Sequence, residues 1–125
     1  MARILVVDDD PDFASASRLV LESVGHAVVT AASPAEGLAV LAREQPDLLV
    51  LDVMMVEPDD GIVMAQSLRR SGNQIPILML TSLPKVMGFT YVKDDEMIPV
   101  DEFLEKPVAP KRLIEAVGKL LGGGR

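Results

Sequence analysis

The sequence predicts an α/β fold, a doubly wound, five-stranded parallel sheet with helices on both faces. Two observations predict it. Short, uniformly apolar runs recur along the chain, as in strands covered on both sides. Apolar residues at helical spacing fill the intervals between them, so strands and helices alternate.

Ile4-Leu5-Val6-Val7 is the first strand, and Asp10-Pro11 caps the helix that follows it. Phe13, Ala16, Val20 and Val24 form that helix's stripe, which ends before Gly25. Ala27 to Thr30 is a weaker, edge-like strand. Ser33-Pro34-Ala35-Glu36 reads as a capping box and leads into Leu38, Leu41 and Ala42. Leu48 to Leu51 is the third strand, and Ile62, Ala65 and Leu68 mark a third helix closed by Ser71-Gly72. Ile75 to Leu80 is the fourth strand. Pro84 to Pro99 carries no clean stripe and is expected to hold at most a short helix. Phe103-Leu104 is a second edge strand. Leu113, Ala116, Val117, Leu120 and Leu121 form the last helix, stopped by Gly122-Gly123-Gly124. Five strands in a chain of 125 residues suit one domain, 1–125, with the flavodoxin-like order 2-1-3-4-5.

Composition narrows the function. Twelve basic against 19 acidic residues give a net charge of −7, which argues against direct nucleic-acid binding. The absence of cysteine excludes disulfides and thiolate metal sites. No signal peptide is expected before the first strand, and no apolar run reaches the length of a membrane span. A cytoplasmic protein without a membrane partner is the plain expectation.

In doubly wound sheets, ligands bind at the carboxyl ends of the strands. Here the first strand ends in Asp8-Asp9-Asp10 and the third in Asp52. The fourth ends in Thr81, and the fifth in Glu105-Lys106-Pro107. One acid near Asp8 is needed as a helix cap, and Asp10 before Pro11 suits that role. The others bring carboxylates, a hydroxyl and an ammonium to one sheet edge. Crowded carboxylates resist ionisation unless a cation compensates, and hard oxygen donors suit Mg²⁺. His26, alone beside a turn, is expected to be a surface residue.

These motifs together resemble the receiver domain of two-component response regulators, including single-domain, chemotaxis-type members, over essentially the whole chain. Asp8 and Asp9 match the family's acidic pair, Asp52 its phosphoacceptor, Thr81 its hydroxyl, Lys106-Pro107 its Lys-Pro pair and Phe103 its aromatic switch. The resemblance implies that Asp52 accepts a phosphoryl group from a histidine kinase or phosphotransfer protein. It implies Mg²⁺ held by Asp9, Asp52 and the Met54 backbone carbonyl, with Asp8 acting through water. It further implies that Thr81 and Lys106 bind the phosphoryl group, that the Lys106–Pro107 peptide is cis, and that Phe103 turns inward. That rotation would remodel the face of residues 84–99, the fifth strand and the last helix for an unknown output protein.

The sequence departs from the family pattern after Asp52. Val56 stands where proline is usual, and Gly61 comes one residue late. The resemblance implies that the side chains two residues after the phosphoacceptor and two after the hydroxyl flank the approach of hydrolytic water; here these are Met54 and Leu83, both apolar, so slow loss of the phosphoryl group is expected. A phosphohydrolase with an aspartyl nucleophile would need a second acid at Met54. A nucleotide-binding module would need a glycine-rich loop after the first strand, which is absent. The chain is expected to be a signalling phosphoacceptor rather than an enzyme acting on a separate substrate.

Overall fold

The computed structural model describes residues 2–52, 60–81 and 100–122, with the Thr81 side chain excepted. Five parallel strands run in the order β2-β1-β3-β4-β5. They are β1 (Arg3–Val7), β2 (Ala27–Ala31), β3 (Leu48–Asp52), β4 (Ile77–Thr81) and β5 (Glu102–Glu105). Among the described residues, the helices are α1 (Pro11–Glu22), α2 (Pro34–Glu44), α3 (Asp60–Arg70) and α4 (Pro110–Gly122). The predicted fold class and strand order are therefore observed.

Alternation along the strands divides the core into two layers. Leu5, Val7, Leu49, Leu51, Ile77 and Met79 pack with Val40 and Leu41 of α2 and with Met64, Ala65 and Leu68 of α3. Ile4, Val6, Leu48, Val50, Leu78 and Leu80 face the other way, onto Leu21 of α1 and Leu113, Ala116 and Val117 of α4. Successive strand side chains point to opposite faces, so a run that is apolar throughout fills both layers.

Two helices bury faces rotated from those the apolar stripes predict. On α1 the buried residues are Ala14, Ser17 and Leu21, whereas Ala16 is exposed and Val24, also exposed, lies past the helix end. On α2 they are Gly37, Val40 and Leu41, whereas Leu38 and Ala42 are exposed. Gly37 explains the second rotation. A Cβ at this position would lie 2.8 Å from Val7 Cγ2, so the helix backbone itself rests on β1. Only a residue without a side chain permits that approach.

The predicted caps are present, with one change of partner. The Asp10 carboxylate accepts from the Asp12 and Phe13 amides at 3.0 and 3.3 Å. Ser33 Oγ accepts from the Glu36 amide at 3.1 Å, but the Glu36 carboxylate reaches back to the Ala32 amide at 2.7 Å rather than to that of Ser33.

At the amino edge of the sheet, two contacts absent from the sequence reading tie elements together. His26 is half-buried, and its Nδ1 accepts from the Ala2 amide at 3.1 Å. Burial lowers its pKa below the ordinary histidine value. Arg69 donates to the Asn73 and Ile75 carbonyls and to the Asp101 carboxylate, which also accepts from the Ile77 amide at 2.8 Å. This staple joins α3, the start of β4 and the entry to β5. The segment 84–99, expected to hold a short helix, lies outside the described residues.

Candidate phosphoacceptor site

The sheet register brings the acidic residues together. Val7 pairs with Leu51, so one step further along Asp8 follows β1 beside Asp52, the last residue of β3. The next pair of strands matches Thr81 with Glu105, which places Lys106 immediately beyond the end of β5. Asp8, Asp9 and Asp52 each offer an oxygen within 4.8 Å of the others.

Burial separates the three carboxylates. Asp8 is 2% exposed and Asp52 4% exposed, whereas Asp9 faces solvent. Asp8 is held from both sides, accepting from the Asp10 amide at 2.9 Å and from Lys106 Nζ at 2.8 Å. Lys106 Nζ also stands 3.3 Å from Asp52 Oδ1, so one ammonium serves two buried carboxylates. It lies in addition 4.1 Å from the centroid of the Phe13 ring. The Lys106–Pro107 peptide is cis.

The electrostatics reflect this imbalance. Burial first, and then the charge of Asp8 with a smaller addition from Asp9, pushes the Asp52 carboxyl up to about 6. Lys106 opposes that rise through its charge and hydrogen bond. For Lys106 itself, burial alone would lower the pKa. Its hydrogen bond to Asp8 and the charges of Asp52 and Asp8 outweigh burial and hold it above the ordinary lysine value. Among the described residues, the site thus has more negative charge than the Lys106 ammonium balances, in an arrangement of oxygen donors that suits a hard divalent cation.

Some predicted site residues can be placed only in part. The backbone of Thr81 ends β4, while its side chain lies outside the described residues. Met54, Val56 and Leu83 lie wholly outside them. Phe103 is on β5, partly buried against the core layer of α2 and α3. Phe13, by contrast, reads in the sequence only as part of a helical stripe, and the structure sets its ring over Lys106. Its position in the first turn of α1 was the available signal, since helical side chains lean towards the helix amino end. Here that end is the site edge.

Residues 4–118 match the family model of the response regulator receiver domain. The chain belongs to this family. It is 36% identical over 127 residues to the DNA-binding dual master transcriptional regulator RpaA of Synechocystis, an alignment covering 97% of this chain and 49% of RpaA. It is 38% identical over 119 residues to the response regulator MprA of Mycobacterium leprae, covering 95% of this chain and 50% of MprA. Among solved structures, the receiver domain of Francisella response regulator 1452 superposes with a TM-score of 0.84 at 26% identity, covering 100% of both chains. A receiver domain protein from Methanospirillum hungatei, CheY-like, gives 0.84 at 25% identity, covering 99% of this chain and 96% of its own.

The chain spans about half the length of the curated relatives it matches. This corrects the expectation that nucleic acid has no place among the partners. RpaA is itself a DNA-binding regulator, and its similarity to this chain extends over nearly the whole sequence. The net charge of −7 belongs to 125 residues that match only about half of RpaA. It carries no information about the part of RpaA outside the match. Among the described residues, no helix is long and apolar enough to cross a membrane.

Proposed function

We propose that residues 1–125 act as the phosphoacceptor unit of a two-component regulator, with Asp52 receiving the phosphoryl group from a histidine kinase or phosphotransfer protein in the cytoplasm. The observation that carries this reading is buried Asp52 standing 3.3 Å from a lysine ammonium that it shares with a second buried carboxylate, Asp8. A carboxylate oxygen of Asp52 attacks phosphorus in the donor. The new bond is P–O, and the P–N bond to the donor imidazole breaks with its electron pair remaining on nitrogen. Lys106 is already within reach of the product, and it exchanges part of its pairing with Asp8 for a phosphoryl oxygen. Thr81, at the end of β4, donates its hydroxyl to the same group, and Phe103 then changes its packing against β4 and α3. This is a shift between two populations biased by one added anionic group.

Asp9 and Asp52 would hold Mg²⁺ with the Met54 carbonyl, and Asp8 would contribute through water. When bound, the ion supplies positive charge that neutralises the carboxylates and the entering phosphoryl oxygens. The donor set supports this assignment, since it combines clustered oxygens with a charge excess that Lys106 alone leaves uncompensated. The likeness to transcriptional regulators supports an output at DNA, delivered by a part of the regulator other than the receiver fold.

The exposed Asp9 offers a clean test of the metal role, because it can change with little disturbance of the core. Asp9→Asn is expected to weaken Mg²⁺ binding at least about tenfold, the scale expected from losing one charge in contact with the ion. The stability of the metal-free protein should hardly move. Titration with Mg²⁺, followed by calorimetry, measures both quantities. An unchanged affinity would remove Asp9 from the metal site.

A further inference from the structure

We propose that Phe13 is a positioning residue for phosphoryl transfer, its ring face holding the Lys106 ammonium in place while that ammonium changes anionic partners. This inference rests on the phosphoacceptor reading of Asp52 and goes beyond it. Lys106 Nζ is 2.8 Å from Asp8, 3.3 Å from Asp52 and 4.1 Å from the Phe13 ring centroid, and its side chain is only 15% exposed. Among the described residues, three groups therefore surround the ammonium. Two of them are carboxylates whose demands on it differ before and after phosphorylation.

A lysine ammonium is a compact charge on a flexible four-carbon stem, and hydrogen bonds to two anions do not by themselves fix where it stands between them. Asp8 already holds the shorter contact. Without a third constraint, the ammonium would settle further towards Asp8 and have to be recovered when charge builds on the entering phosphoryl group. The ring supplies that constraint. Its negative face attracts a cation within about 6 Å of the centroid, and more strongly where water is excluded. This attraction is indifferent to which anion the ammonium is paired with, so the ring can back the charge throughout the transfer. Phe13 is fixed in turn by its place in the first turn of α1, whose amino end Asp10 caps, and by packing against the core layer of α1 and α4. The ring face and the acidic loop are thus set by the same helix start. Pre-placed charge is the form of catalysis that fits a transfer depending on orientation and electrostatics.

The experiment separates the ring's charge distribution from its bulk. Phe13 is replaced site-specifically by phenylalanines carrying increasing numbers of fluorine atoms, which drain the negative face while keeping the shape. Phe13→Tyr and Phe13→Leu complete the series. Labelling by radiolabelled acetyl phosphate at saturating donor and Mg²⁺ gives the transfer rate, alongside the thermal midpoint and the Mg²⁺ affinity. The expected result is a graded fall with fluorination to about one-tenth of the wild-type rate, with midpoint and Mg²⁺ affinity unchanged. Tyrosine should stay within about twofold of wild type, and leucine should fall to about the level of the most fluorinated ring. A rate insensitive to fluorination overturns the proposal even where Phe13→Leu is slow or unfolded, because bulk would then be the whole effect. A labelled wild type with an equally fast Phe13→Leu overturns the role of Phe13 alone. Absence of label from wild type overturns this inference and the phosphoacceptor reading together.

Discussion

Lys106→Met is expected to destabilise the metal-free protein by about 2–4 kcal/mol near neutral pH, the scale seen when one partner of a buried ion pair is removed. Two observations set this magnitude. Lys106 pairs with both Asp8 and Asp52, and those carboxylates are 1% and 5% exposed at the side chain. Methionine keeps most of the stem's volume, so the loss reports charge rather than a cavity. The cost stays below the full penalty of an orphaned buried anion, because Asp52, already raised to about 6, can take up a proton instead. Added Mg²⁺ should restore part of the loss by binding only the folded state. Urea unfolding with EDTA and then with Mg²⁺ measures both effects. A variant as stable as wild type in EDTA would mean that the pair is not holding the carboxylates together.

Asp52→Asn is expected to act in the opposite direction, stabilising the metal-free protein by about 2 kcal/mol near neutral pH. The figure follows from the raised carboxyl, discounted for water reaching the cluster past exposed Asp9. A carboxyl at about 6 in the fold and near 3.8 in the unfolded chain keeps its proton longer when folded. Between roughly pH 4 and 6 the folded state binds more protons, so stability falls as pH rises through that window. Above it, the whole penalty is present. Asparagine carries no charge to desolvate, so its advantage should appear at neutral pH and vanish near pH 4. Mg²⁺ should stabilise the wild type and have much less effect on this variant. Equal stability of the two proteins across this range in EDTA would show that Asp52 carries no penalty in the fold.

Opposite effects from two residues 3.3 Å apart are what a site with excess negative charge requires. Such a site is inefficient for stability and suited to binding a cation and a phosphoryl group. Its local cost belongs to function.

The strands were legible because a run such as Leu48 to Leu51 has one reading when covered on both sides. Asp8, Asp9, Asp52 and Lys106 were legible for a related reason. They terminate those runs, and a parallel sheet puts all such ends at one edge. The helix faces were less legible. Ser17 and Gly37 are buried, but neither adds to an apolar stripe, so the stripes on α1 and α2 were misphased by one residue. Gly37 is buried through close approach to Val7, which depends on a partner far away in sequence. The Arg69–Asp101 staple spans 32 positions and has no local pattern to reveal it. Phe13 illustrates a third limit. Periodicity accounts for it as a core residue, and only three-dimensional placement shows its ring above an ammonium.

Locating the phosphoryl group decides whether Asp52 is the acceptor. Purified protein is incubated with acetyl phosphate and Mg²⁺, and the product is mapped by mass spectrometry before and after hydroxylamine. A single hydroxylamine-sensitive phosphoryl group is expected on Asp52, not formed when Mg²⁺ is chelated beforehand and absent from Asp52→Asn. Labelling of Asp52→Asn at another residue with wild-type efficiency, or no labelling of the wild type at all, would contradict this expectation.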